Sequence, residues 1–137
     1  MTYLTRATAL AGALLVAAGL LAAGPARAAS RDDLQGNWLY LTVTKGDARS
    51  GDTRGTLLLC DPPQGHAHAA KACAQLAKAE GDPGRIAVRS GFCPMIWAPV
   101  TARARGRWNG RPVRFQETYA SQCVMTARTG SVFTFDG

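Results

Sequence analysis

Four cysteines and two histidines hold most of the chemical potential of this 137-residue chain. Cys60, His66, His68 and Cys73 fall within 14 positions. Two thiolates and two imidazoles can make a zinc site. The spacing contains no Cys-x-x-Cys or His-x-x-x-His step of the kind that sets two ligands side by side. Cys93 and Cys123 bring the count to four, all of them downstream of a leader that reads as a secretion signal. Thiols in an oxidising compartment pair before they ligate, so two disulfides are expected and no metal or other cofactor. Four cysteines allow three connectivities. Sequential pairing, Cys60–Cys73 and Cys93–Cys123, closes the shortest loops without crossing and is favoured, while the other two stay open.

The second candidate is Ser90–Pro99. Phe92, Met95, Ile96 and Trp97 are large and apolar, and Gly91, Pro94 and Pro99 bound them. The prolines fix two φ angles and push Cys93 and Ala98 toward extended backbone. A disulfide at Cys93 would anchor one end. Two readings fit equally: a buried strand with Met95 to Trp97 in the core, or a rigid, extended apolar loop offered to a partner.

The third candidate is basic. Arg103, Arg105 and Arg107 alternate and project from one face of a strand, and Arg111 and Arg114 follow across a turn. The functional reading is a secreted module that binds anionic polymers; the plain reading is a solvated sheet face. No aromatic residue interleaves along that stripe to stack bases, so nucleic acid is not an expected partner. Catalytic patterns are missing from the sequence. It has no Gly-x-Ser-x-Gly, phosphate loop or His-Glu-x-x-His, and no acid pair at helical spacing. The expectation is a protein that is not an enzyme.

These groups need a scaffold, and the chain offers one domain's worth. A basic start with Arg6, an apolar stretch, and Ala26-Arg27-Ala28 read as a signal peptide over residues 1–28. Residues 29–137 remain as a single secreted, extracellular domain. Removing Arg6 and Arg27 leaves 14 Lys and Arg against 9 Asp and Glu, a net charge of +5. No later apolar run is long enough to cross a membrane, so no membrane partner is expected. Alternation predicts a strand at Trp38–Thr44, with Leu39, Leu41 and Val43 on one side, and the apolar run Thr56–Cys60 reads as a second strand. Ala69–Glu80 reads as a helix with Ala69, Cys73, Leu76 and Ala77 on one face, ended by Gly81-Asp82-Pro83-Gly84. Ile86–Arg89 reads as a short strand. Asn109-Gly110 predicts a hairpin joining Val100–Trp108 to Val113–Tyr119. Ser131–Phe135 reads as a last strand. The tally is an α+β domain with about five antiparallel strands and one clear helix.

With these pieces in view, the sequence resembles the Streptomyces-type subtilisin inhibitors over about Trp38 to Phe135. The pieces that carry the resemblance are Tyr40-Leu-Thr-Val-Thr-Lys-Gly46, Thr56-Leu-Leu-Leu-Cys60, Ala72-Cys-Ala-Gln-Leu76, Cys93-Pro-Met-Ile-Trp97, Pro99-Val100, Gly106-Arg-Trp-Asn-Gly110 and Ser131-Val-Phe-Thr-Phe135. The resemblance implies a five-stranded antiparallel sheet with one main helix and a second short one. It also implies a homodimer and the bridges Cys60–Cys73 and Cys93–Cys123. It implies inhibition of subtilisin-like serine proteases through a reactive bond Met95-Ile96, with Phe92, Cys93, Pro94 and Trp97 in the protease-contacting loop. Departures from the family pattern are Ala98 for the usual Asp before Pro-Val, Ser121 for the usual Asn two residues before the last cysteine, and His66-Ala67 for a common His-Pro. Asp136-Gly137 extends past the usual C-terminal Phe.

Overall fold

In a computed structural model of the chain, residues 34–46, 49 and 51–137 are described. The expected signal peptide lies outside the described residues. The alternating segment at Trp38 becomes β1, Trp38–Lys45, which pairs antiparallel with β2, Thr53–Cys60. Pro63–Gln64 returns along the end of β2 as the two-residue β3. Helix α1 follows at Ala69–Lys78. Strands β4, Val100–Trp108, and β5, Arg111–Tyr119, meet at the expected hairpin. Asn109 and Gly110 both have positive φ, 48° and 76°, the geometry that two-residue hairpins demand and that Asn and Gly tolerate. Helix α2, Gln122–Thr129, comes last. The sheet runs β3-β2-β1-β4-β5, with every neighbouring pair antiparallel.

One face of this sheet makes the core. Leu39 and Leu41 of β1, Leu58 of β2, and Ala102 and Ala104 of β4 are fully buried. Ala72, Cys73 and Leu76 of α1 and Met125 of α2 close over them. A bridge between Cys60 and Cys73 ties the end of β2 to α1. Helix α1 stops two residues short of the expected Glu80, and Ala77, expected on its inner face, is exposed. Gly81 then turns the chain at φ 83°, and a Cβ there would stand 2.2 Å from Trp108 Cγ. The position therefore needs glycine for its backbone and for its space.

Two expected strands are not strands. Ile86–Arg89 follows a 3-10 turn at Pro83–Arg85, and the Arg89 N–H donates to Ala127 O of α2 (2.8 Å) rather than to a strand. Ser131–Phe135 runs as turns: Val132 N–H donates to Thr129 O (3.3 Å) and Thr134 N–H to Ser131 O (3.2 Å). A strand sends adjacent side chains to opposite faces. Val132 and Phe133 are adjacent and both enter the one core. The place of a fifth strand is taken by β3.

His66 and His68 pin this C-terminal segment. The His66 ring accepts the His68 backbone N–H at Nδ1 (2.9 Å), which leaves Nε2–H to donate to Val132 O (2.9 Å). Burial holds the His66 imidazole below its usual range, so it stays neutral. The His68 Nε2 meets Asp136 O at 2.8 Å, and Asp136 pairs with Arg54 through both carboxylate oxygens. The cysteines and histidines that could have made a zinc site are thus engaged otherwise: Cys60 and Cys73 with each other, and the rings with backbone carbonyls.

Candidate functional site

Between the 3-10 turn and β4, residues 86–99 have no regular secondary structure. Within this stretch Phe92 is 89% exposed, Met95 103%, Ile96 61% and Trp97 77%. Four neighbouring large apolar side chains in solvent are unusual, because each forgoes roughly 1.5–3 kcal/mol of available burial. The core has no room for them, since β1, β2, β4 and both helices already fill it. Of the two readings of this segment, the buried strand is excluded and the exposed loop stands.

The loop is exposed but tethered. Cys93 is joined to Cys123, with a Cα–Cα distance of 5.7 Å. On the other side the Ala98 N–H donates to Ala120 O (2.9 Å), and Pro99 O accepts from the Gly46 N–H (2.7 Å). Farther upstream the Arg89 N–H donates to Ala127 O. Three of these holds converge on one short stretch, Ala120 to Ala127. Inside the loop the Ile96 N–H donates to Pro94 O (2.8 Å), a three-residue turn that sets Met95 at the apex.

The stretch that holds the loop is itself fixed at its start. Ser121 is extended (φ −161°, ψ 165°), and its hydroxyl accepts the Val124 N–H (3.2 Å) as the N-cap of α2. Gly130 ends the helix at φ 60°. Just before it, Tyr119 is 4% exposed and donates its hydroxyl to Glu117 (3.2 Å). Burial, with the Glu117 charge beside it, pushes the phenol well above its ordinary range, so it remains a neutral donor. Cys123 therefore sits in the first turn of a helix whose start is anchored on both sides. Ala98 holds the loop through its backbone N–H, and Ser121 by capping the helix that carries Cys123.

Of the residues singled out from the sequence, Phe92, Cys93, Pro94, Met95, Ile96 and Trp97 lie together in this loop, with Cys123 beneath it. Cys60 and Cys73 lie apart, in the bridge between β2 and α1. The carbonyls of Ala120 and Ala127 and the N–H of Gly46 have no residue signature, and sequence reasoning missed them. Ser121 did leave a signal, a capping residue nine positions ahead of a closing Gly130.

Comparison with known proteins agrees with this architecture. The family model described as subtilisin inhibitor-like matches residues 35–121. The chain is 56% identical over 122 residues to a Streptomyces avermitilis protein whose name is that of a serine protease inhibitor, covering 89% of this chain and 83% of that one. It is 40% identical over 102 residues to a subtilase-type protease inhibitor of Streptomyces coelicolor, covering 71% of each. Among solved structures it resembles Streptomyces caespitosus sermetstatin, determined in complex with Bacillus licheniformis subtilisin. That match has a TM-score of 0.59 and 36% identity, covering 72% of this chain and 97% of that one. With two disulfides, five antiparallel strands, two helices and a family match over most of its described residues, the chain belongs to the subtilisin inhibitor-like family.

Proposed function

We propose that this protein is a secreted inhibitor of subtilisin-like serine proteases, acting as a substrate mimic with Met95-Ile96 as its reactive bond. The observation that carries the reading is the fully exposed Met95 at the apex of a loop tethered on both sides. Met95 is then P1 and Ile96 P1′. Pro94, Cys93 and Phe92 are P2, P3 and P4, and Trp97 lies on the primed side. A subtilisin-type S1 pocket accepts a large unbranched apolar side chain, and Phe92 suits an apolar S4 pocket. The extended backbone adds strand-like hydrogen bonds to the cleft, and the Met95 carbonyl enters the oxyanion hole beside the protease's serine. The ordering cost is largely met before binding because the loop is already held. Complexes of this kind reach dissociation constants of ~10⁻⁹ M or tighter over interfaces of ~1,600 Å². Titrating subtilisin with the protein is expected to give a linear loss of activity that ends at one loop per enzyme. Full activity at a molar excess would exclude this function and leave the basic binding module as its rival.

The same reading includes export after a cut following Ala28, and self-association through the sheet face turned away from the helices. That face carries Trp38, Tyr40, Thr42 and Thr44 on β1 and Thr101, Arg103, Arg105 and Arg107 on β4. Thr44 bonds Thr53 (2.7 Å) and Thr101 bonds Thr118 (2.8 Å), a row of hydroxyls satisfied within the sheet. A two-fold axis sets this patch against itself, so arginines meet arginines. Stacking on Tyr40, worth ~1 kcal/mol or so per contact, offsets part of that repulsion. The expected result is a dimer that tightens as sodium chloride screens the arginines, read by sedimentation at low and high ionic strength. A monomer at every salt concentration would rule it out, and a dimer that loosens with salt would contradict the repulsion.

A further inference from the structure

We propose that Met95 is also a site of oxidative modification: hydrogen peroxide converts its thioether to the sulfoxide and so silences the inhibitor while leaving the fold intact. The inference rests on Met95 as the P1 residue and adds a control to that role.

Sulfur chemistry in this protein comes down to one accessible atom. All four cysteines are taken up in the two bridges. Of the three methionines in the sequence, Met1 falls in the expected signal peptide. Met125 of α2 is 1% exposed and belongs to the core. Met95 is 103% exposed. An oxidant reaches Met125 only when the core opens, whereas it meets Met95 directly. Met95 lies on the loop and not on the sheet face proposed for self-association.

Nothing in the free protein depends on this side chain. It stands at the apex of the turn closed by the Ile96 N–H and Pro94 O (2.8 Å). The holds at Cys93, Ala98 and Pro99 use a disulfide and backbone groups alone. Adding an oxygen to the sulfur therefore removes no contact that shapes the loop.

The oxidant balances the reaction. A lone pair of the sulfur attacks one oxygen of hydrogen peroxide, and the S–O bond forms as the O–O bond breaks. The other oxygen leaves as hydroxide and takes the proton of the transferred oxygen, giving water. The thioether is oxidised by two electrons and the peroxide is reduced. The product side chain is polar and chiral. Its oxygen accepts hydrogen bonds, and an apolar S1 pocket has no donor for it, so burial there is costly. Once the unmodified side chain is in S1 its sulfur is covered. Peroxide thus acts on the free inhibitor and spares the complex.

The test treats the disulfide-bonded protein with dilute hydrogen peroxide, removes the peroxide with catalase, and then titrates subtilisin. Peptide mapping by mass is expected to find the added oxygen on Met95 at least about tenfold sooner than on Met125. The inhibition constant of the singly oxidised protein is expected to rise about 10- to 100-fold, with an unchanged melting temperature. Met95→Leu is expected to carry its own inhibition constant through the peroxide step without change. Peroxide added after subtilisin has bound is expected to leave Met95 unmodified. Oxygen appearing first on Met125, or the same loss of inhibition in peroxide-treated Met95→Leu, would overturn the proposal. So would an oxidised Met95 that inhibits like the parent, and there Met95→Asp separates the two claims. If Met95→Asp has lost inhibition, the P1 assignment stands and only the oxidative control falls. If it inhibits as well as the parent, both fall.

Discussion

Replacing Met95 by Asp is expected to raise the inhibition constant toward subtilisin by a factor of about 10³ or more. The wild-type side chain is fully in solvent in the free protein, so all of its apolar surface remains to be buried in the S1 pocket. That burial contributes roughly 2–3 kcal/mol for a methionine. Asp forgoes it and also brings a charge into an apolar pocket with no partner, which costs several kcal/mol more. The two losses together exceed the ~4 kcal/mol that corresponds to 10³. Met95→Lys tests the same assignment with the opposite sign: the ammonium would pair with the carboxylate of a trypsin-like S1 pocket, so inhibition should move toward that class. Neither change touches the core, so melting temperatures should stay near the parent's. If Met95→Asp inhibited subtilisin as well as the parent, the reactive bond would have to lie elsewhere.

That assignment could be written from sequence only through the resemblance, and the reason is physical. A proline-bounded apolar run such as Phe92 to Trp97 suits a buried strand as well as an exposed loop. What separates them is whether the core has room, which depends on Leu39, Leu41, Leu58, Leu76, Met125 and Phe133 arriving from distant parts of the chain. Strands β1, β4 and β5 and the Asn109-Gly110 turn were legible because alternation and turn chemistry are local. Helix α2 was not: Cys, Val and two Thr in eight residues are weak helix formers. The helix is held by the Ser121 cap, the Gly130 terminus and the bridge to Cys93, of which the last is tertiary. Ser131–Phe135 failed for the converse reason. Its β-branched and aromatic composition is local and suits a strand, but the backbone turns on itself because Val132 and Phe133 are both drawn into the core.

The second large effect is expected from the double substitution Cys93→Ser with Cys123→Ser, which should turn an inhibitor into a substrate cut at Met95-Ile96 within ordinary digestion times. In the intact protein Cys93 is held two residues before Met95, and Ala98 two residues after Ile96. If the bond is hydrolysed, both new ends stay beside each other in the cleft, and rejoining is an intramolecular reaction of high effective concentration. Without the bridge, the upstream side is held only from Arg89, through its bond to Ala127. The stretch from Arg89 to Met95 is then free to swing away, and the new carboxylate leaves. The bridge Cys60–Cys73 supplies the control. It closes 13 residues against 30 for Cys93–Cys123, and chain entropy assigns the two roughly 3 and roughly 4 kcal/mol of stability. Their loss should lower the melting temperature by comparable amounts, so a difference in inhibition cannot come from stability. Cys60→Ser with Cys73→Ser, assayed well below its melting temperature, is expected to keep inhibiting, because β2 and α1 meet far from the loop. Equal loss of inhibition in the two double variants would show that the loop is held by the fold as a whole and not by its own bridge.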